Sequence, residues 1–457
     1  MKNLKTTIFI GSGVECCNLP NKAKEKVAKD LSFPNPAYVS AMKRGAFISA
    51  DTPPKIELFD ADEDTNTYWI PRGYAYWLFK FMREELKHPF KIEDCTLVLK
   101  PLNLSFIGKL RPYQEKAKRQ MLKYPVGVLE ASTGSGKTTI ALAIIVERKQ
   151  RTLIIVHSKE LLYQWQGAIK QFLGIDCGLI GAGKFQIKPI TVGIINTVNK
   201  RLDDLTENFG HVICDECHKI TASSWSETLQ DFPAKYYLGL TATPFRRDGL
   251  GHAIFASIGP KIHKVDKKML LDTGAVLRPN VFRIPTNFRY VFSNDYSTMI
   301  SSLTKDENRN NLIVDEIAMD LKKYQENIIV VSDRKHHCES MNKILQEKYK
   351  IKGRVLTGAG KKKDREEIVK EVKTGQCKVL FATISLIGEG FDSPNLTALF
   401  LTTPVKFSGR LIQCVGRVLR PSKNKQPRVY DFRDNQIELL KYTGYSRDRV
   451  YIKEFAA

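Results

Sequence analysis

The chain has 457 residues, with 72 Lys and Arg against 49 Asp and Glu, which gives a formal net charge of +23. Its 42% hydrophobic and 26% charged content is that of a globular chain, and no apolar run approaches the roughly 20 residues that span a bilayer. Such an excess of cations points to a polyanionic partner; on charge alone a nucleic acid, a ribosomal surface and an anionic membrane face all qualify.

At this length about three domains are expected, each able to bury its own core. The opening TTIFIG (6–11) has an apolar run too short for a signal-peptide core and reads as a β-strand. Next, DLSFPNPAYVSAMKRGAF (30–47) mixes aromatics with Lys43 and Arg44, and DADEDTNT (60–67) reads as an exposed turn. YWIPRGYAYWLFKFMREE (68–85) then sets Tyr74, Trp77, Leu78 and Phe81 at helical spacing, the pattern of a core face. That leaves Lys43, Arg44, Arg72 and Lys80 to meet phosphate.

From residue 126 apolar runs alternate with helical patterns. VGVL (126–129), TLIIVH (152–157), ITVGII (190–195), HVIC (211–214) and YYLGL (236–240) predict a parallel sheet whose ligands gather at its carboxyl edge. ASTGSGKT (131–138) follows the first run in P-loop form, with Ala131 where a glycine is usual. Gly134 and Gly136 let backbone N–H groups turn inward around phosphate oxygens, along a loop completed by Ser132, Thr133, Ser135 and, just inside the helix, Thr139. Lys137 adds a charge at the β- and γ-phosphates, and the Thr138 hydroxyl is a candidate Mg²⁺ ligand. DECH (215–218) follows HVIC. Asp215 would hold the same Mg²⁺, with Glu216 polarising the attacking water. ATP and Mg²⁺ are the cofactors implied.

Nine cysteines in such a chain are expected to be reduced thiols. Cys214 and Cys217 have CxxC spacing, but no second pair occurs, so no structural metal is expected.

Four further segments follow in order: TATP (241–244), IIVVSD (328–333), FATISLIGEGFD (381–392) and QCVGRVLR (413–420). NIIVVSD (327–333), GRVLTG (353–358), KVLFAT (378–383), ALFLT (398–402) and RVYDF (428–432) predict a second parallel sheet. The stretch between the two, about 246–305, is richer in turns and lacks clean alternation.

This order of motifs resembles the superfamily 2 helicases and translocases, from about residue 105 to the C-terminus. The resemblance implies that Gln114, in LRPYQ, reads the adenine edge. It implies that the TATP threonines couple hydrolysis to movement, and that GEGFD, Gly388 to Asp392, joins nucleotide to nucleic acid. Gln413 falls at the nucleotide in the same way, and Arg417 and Arg420 match two arginines that reach the γ-phosphate from a second domain. A guanidinium supplied across a cleft stabilises the charge of phosphoryl transfer only when the cleft closes, which makes hydrolysis a mechanical event.

For nucleic acid the resemblance nominates Ser158, Gln164, Asn196 and Thr197, then Arg334, Thr357, Gly358 and Thr383. A sequence-blind grip needs such hydroxyls, amides and cations. Lys361–Lys363, in a charge run, read either as a DNA clamp or as a solvated helix face. His218 reads either as a link between the ATP site and the TATP strand or as a packing residue. Arg246, Arg247 and Asp248 are similar to an Arg/acid cluster of XPB-like proteins, and a solvated loop reads equally well there. Residues 1–105 look like the small N-terminal DNA-engaging domain of XPB-like and UvsW-like helicases.

The expected fold is α/β, with two tandem RecA-like parallel-sheet domains and a small α+β N-terminal domain. The expected boundaries are 1–105 for the N-terminal domain, 106–270 for the ATP-binding domain, 271–305 for a connecting segment and 306–457 for the second RecA-like domain. The resemblance implies an ATP-dependent DNA helicase moving 3′→5′ and remodelling forked or branched DNA; a monomer is expected, in the cytoplasm (host cytoplasm if viral) or, in a compartmented cell, the nucleus, without a membrane partner. An RNA helicase and an ATPase that switches the affinity of a DNA-binding assembly factor are the alternatives.

Overall fold

The computed structural model describes residues 5–132, 134–219, 228–242, 251–357, 362–384, 395–405, 408–422 and 424–455. It divides into two compact units, one made of 1–132 with 136–265, the other built on 266–457.

The first unit contains two sheets. Five strands are ordered Asp60–Asp62, Thr67–Ile70, Val14–Cys17, Thr6–Ile10 and Phe90–Asp94; all pairs are antiparallel except the last. Alternation decides which face is buried: Ile8, Val14 and Cys16 point into a core closed by Val27 and Leu31 of the helix Asn21–Leu31 and by Leu78 and Met82. Eight strands form the second sheet, in the order Lys184–Gln186, Gly178–Gly181, Ile190–Ile194, Thr152–Val156, His211–Cys214, Tyr236–Thr241, Val126–Glu130 and Lys261–Lys264. Only the edge strand Lys184–Gln186 is antiparallel. Register brings the strand ends level: Thr241 lies opposite Glu130, and Cys214 between Ile155 and Gly239. The P-loop, DECH and TATP therefore all begin at one carboxyl edge.

The N-terminal domain does not stand apart as the boundary at 105 implied. Ala253 and Ala256, from the helix Gly251–Ile258, lie in its apolar cluster. Gly73 packs so tightly on the turn after that helix that a Cβ there would sit 2.3 Å from Gly259 N and 2.4 Å from Phe255 O.

In the second unit six parallel strands run Asn280–Pro285, Arg428–Arg433, Leu396–Leu401, Asn327–Ser332, Val379–Thr383 and Arg354–Leu356. The segment 271–305 is thus not a connector. Its strand pairs with Arg428–Arg433, and its helix Tyr296–Lys305 buries Met299, Ile300 and Leu303 against Ile437 and Leu440. The two expected RecA-like sheets are present. Among the described residues no helix is long and apolar enough to cross a membrane. All nine cysteines are free thiols, with Cys214 and Cys217 in the core of the first unit.

Candidate active site

The strand Val126–Glu130 ends at the P-loop, and the helix Lys137–Arg148 starts from Gly136. Gly134 and Gly136 have φ of 86° and 81°, left-handed values that strain any residue with a Cβ. A Cβ at 136 would also sit 2.3 Å from Gln114 Nε2. The bare glycine makes room for the buried Gln114 amide, whose Oε1 accepts the Arg111 N–H at 2.9 Å. Lys137 Nζ donates to Ala131 O at 3.2 Å and lies 3.7 Å from Glu216 Oε1. Ser135 is buried, while Ser132, Thr138 and Thr139 are half-buried. Thr133 lies outside the described residues.

Two carboxylates face this lysine with opposite electrostatics. Asp215 accepts the Trp165 indole N–H at 2.8 Å through Oδ2 and the Glu216 N–H at 2.9 Å through Oδ1. Burial first, then the charge of Glu216, push Asp215 up to about 6, against Lys137 and the indole. Burial acts upward on Glu216 too, but Lys137 and His218 outweigh it and hold this carboxyl well below the usual range. Glu216 also takes a φ of 49°, which a glutamate seldom adopts. The donor set suits a divalent cation beside Asp215, because a buried carboxylate with raised proton affinity has charge that its neighbours leave uncompensated.

His218 Nδ1 lies 3.3 Å from Glu216 Oε2 and 3.1 Å from Thr241 Oγ1, so it touches both Glu216 and the first threonine of TATP. Thr243 lies outside the described residues. Lys219 Nζ donates to His157 Nε2 at 2.5 Å, and burial followed by the Lys219 charge brings His157 down to about 4. His157 is therefore a neutral acceptor at ordinary pH, next to Ser158.

The remaining candidates fall at strand ends and helix starts. Ser158 caps the helix Lys159–Leu173, accepting the Leu161 N–H at 3.4 Å. Gln164 is half-buried, Asn196 exposed and Thr197 half-buried. In the second unit Arg334 donates to Ser297 Oγ at 3.2 Å, Thr357 is buried and Thr383 ends its strand half-buried. Gln413 and Arg417 lie on the helix Ser408–Val418, Arg417 buried; Arg420 follows, half-buried. Gly358, Gly388, Asp392, Lys361 and Arg246 to Asp248 lie outside the described residues.

Residues 107–246 match the family described as the type III restriction enzyme res subunit, and residues 308–422 match the helicase conserved C-terminal domain. The chain is 26% identical over 406 residues to a DNA 3′-5′ translocase XPB2 of Sulfurisphaera tokodaii, covering 78% of this chain and 90% of that protein. The two matched domains together make the chain an ATP-dependent helicase. A probable helicase D10 of Escherichia phage T5 is 28% identical over 319 residues, covering 66% of this chain and 67% of that protein. A solved fragment of a putative HsdR subunit of a Vibrio vulnificus type I restriction enzyme shares the fold, with a TM-score of 0.59 at 18% identity over 77% of this chain and 67% of that one.

This helicase departs from the sequence reading at Arg72. Its side chain is only 6% exposed. The guanidinium donates to Ala234 O and, at 2.8 Å, to Lys235 O, and it stacks over the Tyr237 ring at 5.0 Å. It fastens the N-terminal module to the ATP-binding sheet and is not free to meet phosphate. A proline–arginine–glycine turn before an aromatic helix carries no sign of that role. Lys43 and Arg44 are exposed at the end of the helix Pro36–Arg44. Trp165 is the site residue the motifs missed; its place in an amphipathic helix marks it only as core.

Proposed function

We propose that this helicase is a DNA translocase that moves 3′→5′ and remodels forked or branched DNA, by branch migration, during repair, recombination or replication. The observation that carries the reading is the core that the N-terminal module shares with the helix Gly251–Ile258 of the ATP-binding domain. DNA gripped by such a module moves with the motor domain, which lets a sequence-blind motor act on a branch point. The relation to a protein named a DNA 3′-5′ translocase supports the substrate and polarity, and the net charge of +23 supports a polyanion.

In this reading Gln114 selects adenine and Lys137 binds the β- and γ-phosphates. Thr138 and Asp215 hold Mg²⁺, which when bound supplies charge neutralisation at the phosphate oxygens. Glu216 orients the attacking water, and Arg417 and Arg420 are the finger arginines. The test is an ATP-dependent unwinding panel of blunt duplex, fork, four-way junction and RNA duplex. Fork and junction are expected to be processed faster than blunt duplex, with RNA untouched. Equal rates on RNA, or DNA-stimulated hydrolysis without strand separation, would overturn the reading.

A further inference from the structure

The helix Pro36–Arg44 buries none of its residues. At its end Met42 is 62% exposed and, beyond the cap, Phe47 is 93% exposed. One exposed apolar side chain is ordinary; two flanking a pair of cations on a helix with no fully buried residue are not. Lys43 and Arg44 lie between them, both exposed, and Lys55 is exposed at the base of the loop.

The loop that carries Phe47 is fixed at both ends. At the start Gly45, with φ of 60°, ends the helix by donating to Met42 O at 3.1 Å, and Ala46 donates to Ala41 O at 3.0 Å. At the other end Asn35 closes the loop: its N–H donates to Pro54 O at 2.9 Å and its Nδ2 to Pro53 O at 2.8 Å. The same Asn35 accepts the Ala37 N–H at 3.0 Å as the helix cap. The acid within the loop, Asp51, accepts from Ser49 Oγ at 3.5 Å. The tip is therefore a built projection that presents an aromatic face beside cations.

We propose that this tip is a base-stacking site: Phe47, with Met42 beside it, receives an unpaired DNA base at a branch point, and Lys43 and Arg44 take the flanking phosphates. Nucleic acid is the occupant that matches both halves of the surface, since every base has a π-face and every nucleotide a charge. A base inside a duplex is already stacked, so the tip discriminates in favour of strands that have parted. The inference rests on the DNA reading above and gives it the element that recognises branches.

The test uses the full-length protein, with F47A, F47W and the pair K43Q/R44Q, binding a fork and a blunt duplex of equal length. Because Phe47 buries almost nothing, F47A should melt as the parent does. The fork-to-duplex affinity ratio is expected to fall about tenfold in F47A and to recover in F47W. The added indole fluorescence in F47W should be quenched by fork and not by blunt duplex. K43Q/R44Q should weaken both substrates and flatten the salt dependence. A ratio within twofold of the parent in F47A, unquenched F47W, or an F47A effect confined to self-association would each overturn the proposal. Unwinding of the same fork by the parent protein reports separately on the DNA reading, so the two can fail independently.

Discussion

A carboxylate enclosed with another carboxylate stays ionised only if its neighbours compensate the charge, and at Asp215 they do so incompletely. Lys137 sits nearer to Glu216, and the Trp165 indole is the donor aimed at Asp215. Because Asp215 stands raised to about 6, it takes up a proton as pH falls through that value and could then no longer hold a cation. The acid limb of kcat/KM for ATP is accordingly expected near pH 6. Trp165→Phe removes a bond to the ionised form and should move the limb to higher pH; an unmoved limb would assign it to another group. Lys137→Ala is expected to abolish turnover while salt-sensitive DNA binding persists, checked by phosphate release and a binding titration. Glu216→Gln keeps the shape and should still bind ATP, but turnover is expected to fall at least about 100-fold, as for loss of a general base. Near-normal phosphate release from Glu216→Gln would move the base elsewhere.

Elements differed in how openly the sequence declared them. Central strands such as His211–Cys214 and Asn327–Ser332 are buried on both faces, so they appear as unbroken apolar runs, and a P-loop or DECH at the end of one fixes its polarity. Edge strands give no such signal. Asn280–Pro285 has every residue at least partly exposed and holds Arg283 and Pro285, so its sequence has the pattern of a connector, and only the pairing with Arg428–Arg433 makes it a strand. The site divided along the same line. Phosphate-facing residues sit in motifs whose spacing is dictated by chemistry, whereas Trp165 and Arg72 act through partners 50 and 162 residues away, which no local pattern encodes. Arg72 gives a direct test of the element it anchors. Arg72→Ala strips the buried Ala234 carbonyl and the half-buried Lys235 carbonyl of a charged donor and removes a ring contact, a loss of about 3 kcal/mol. Denaturant unfolding should show it; an unshifted midpoint would mean that the Arg72 contacts add little to the stability of this unit.

On the scale of the whole molecule, the question is whether the N-terminal module is a passenger or part of the motor's body. Deleting residues 1–105 cannot answer it cleanly, because Ala253 and Ala256 would lose their apolar cover and Gly210 and Lys235 their neighbours in the 94–99 segment. Gly73 offers a smaller lever. A methyl there would meet Gly259 N at 2.3 Å, Phe255 O at 2.4 Å and Ala256 O at 2.6 Å, all backbone atoms that cannot swing aside. Gly73→Ala must therefore push the module off the helix Gly251–Ile258 while removing no charged residue and no nucleotide-site side chain. If the module moves with the motor, unwinding of forked DNA should fall by an order of magnitude relative to single-strand-stimulated ATP hydrolysis, measured at one salt concentration. Hydrogen exchange should also quicken in both Ala75–Lys80 and Gly251–Ile258, since the two faces protect each other. A variant with faster exchange but an unchanged ratio of unwinding to hydrolysis would make the contact purely structural and would place the recognition of branches within the motor itself.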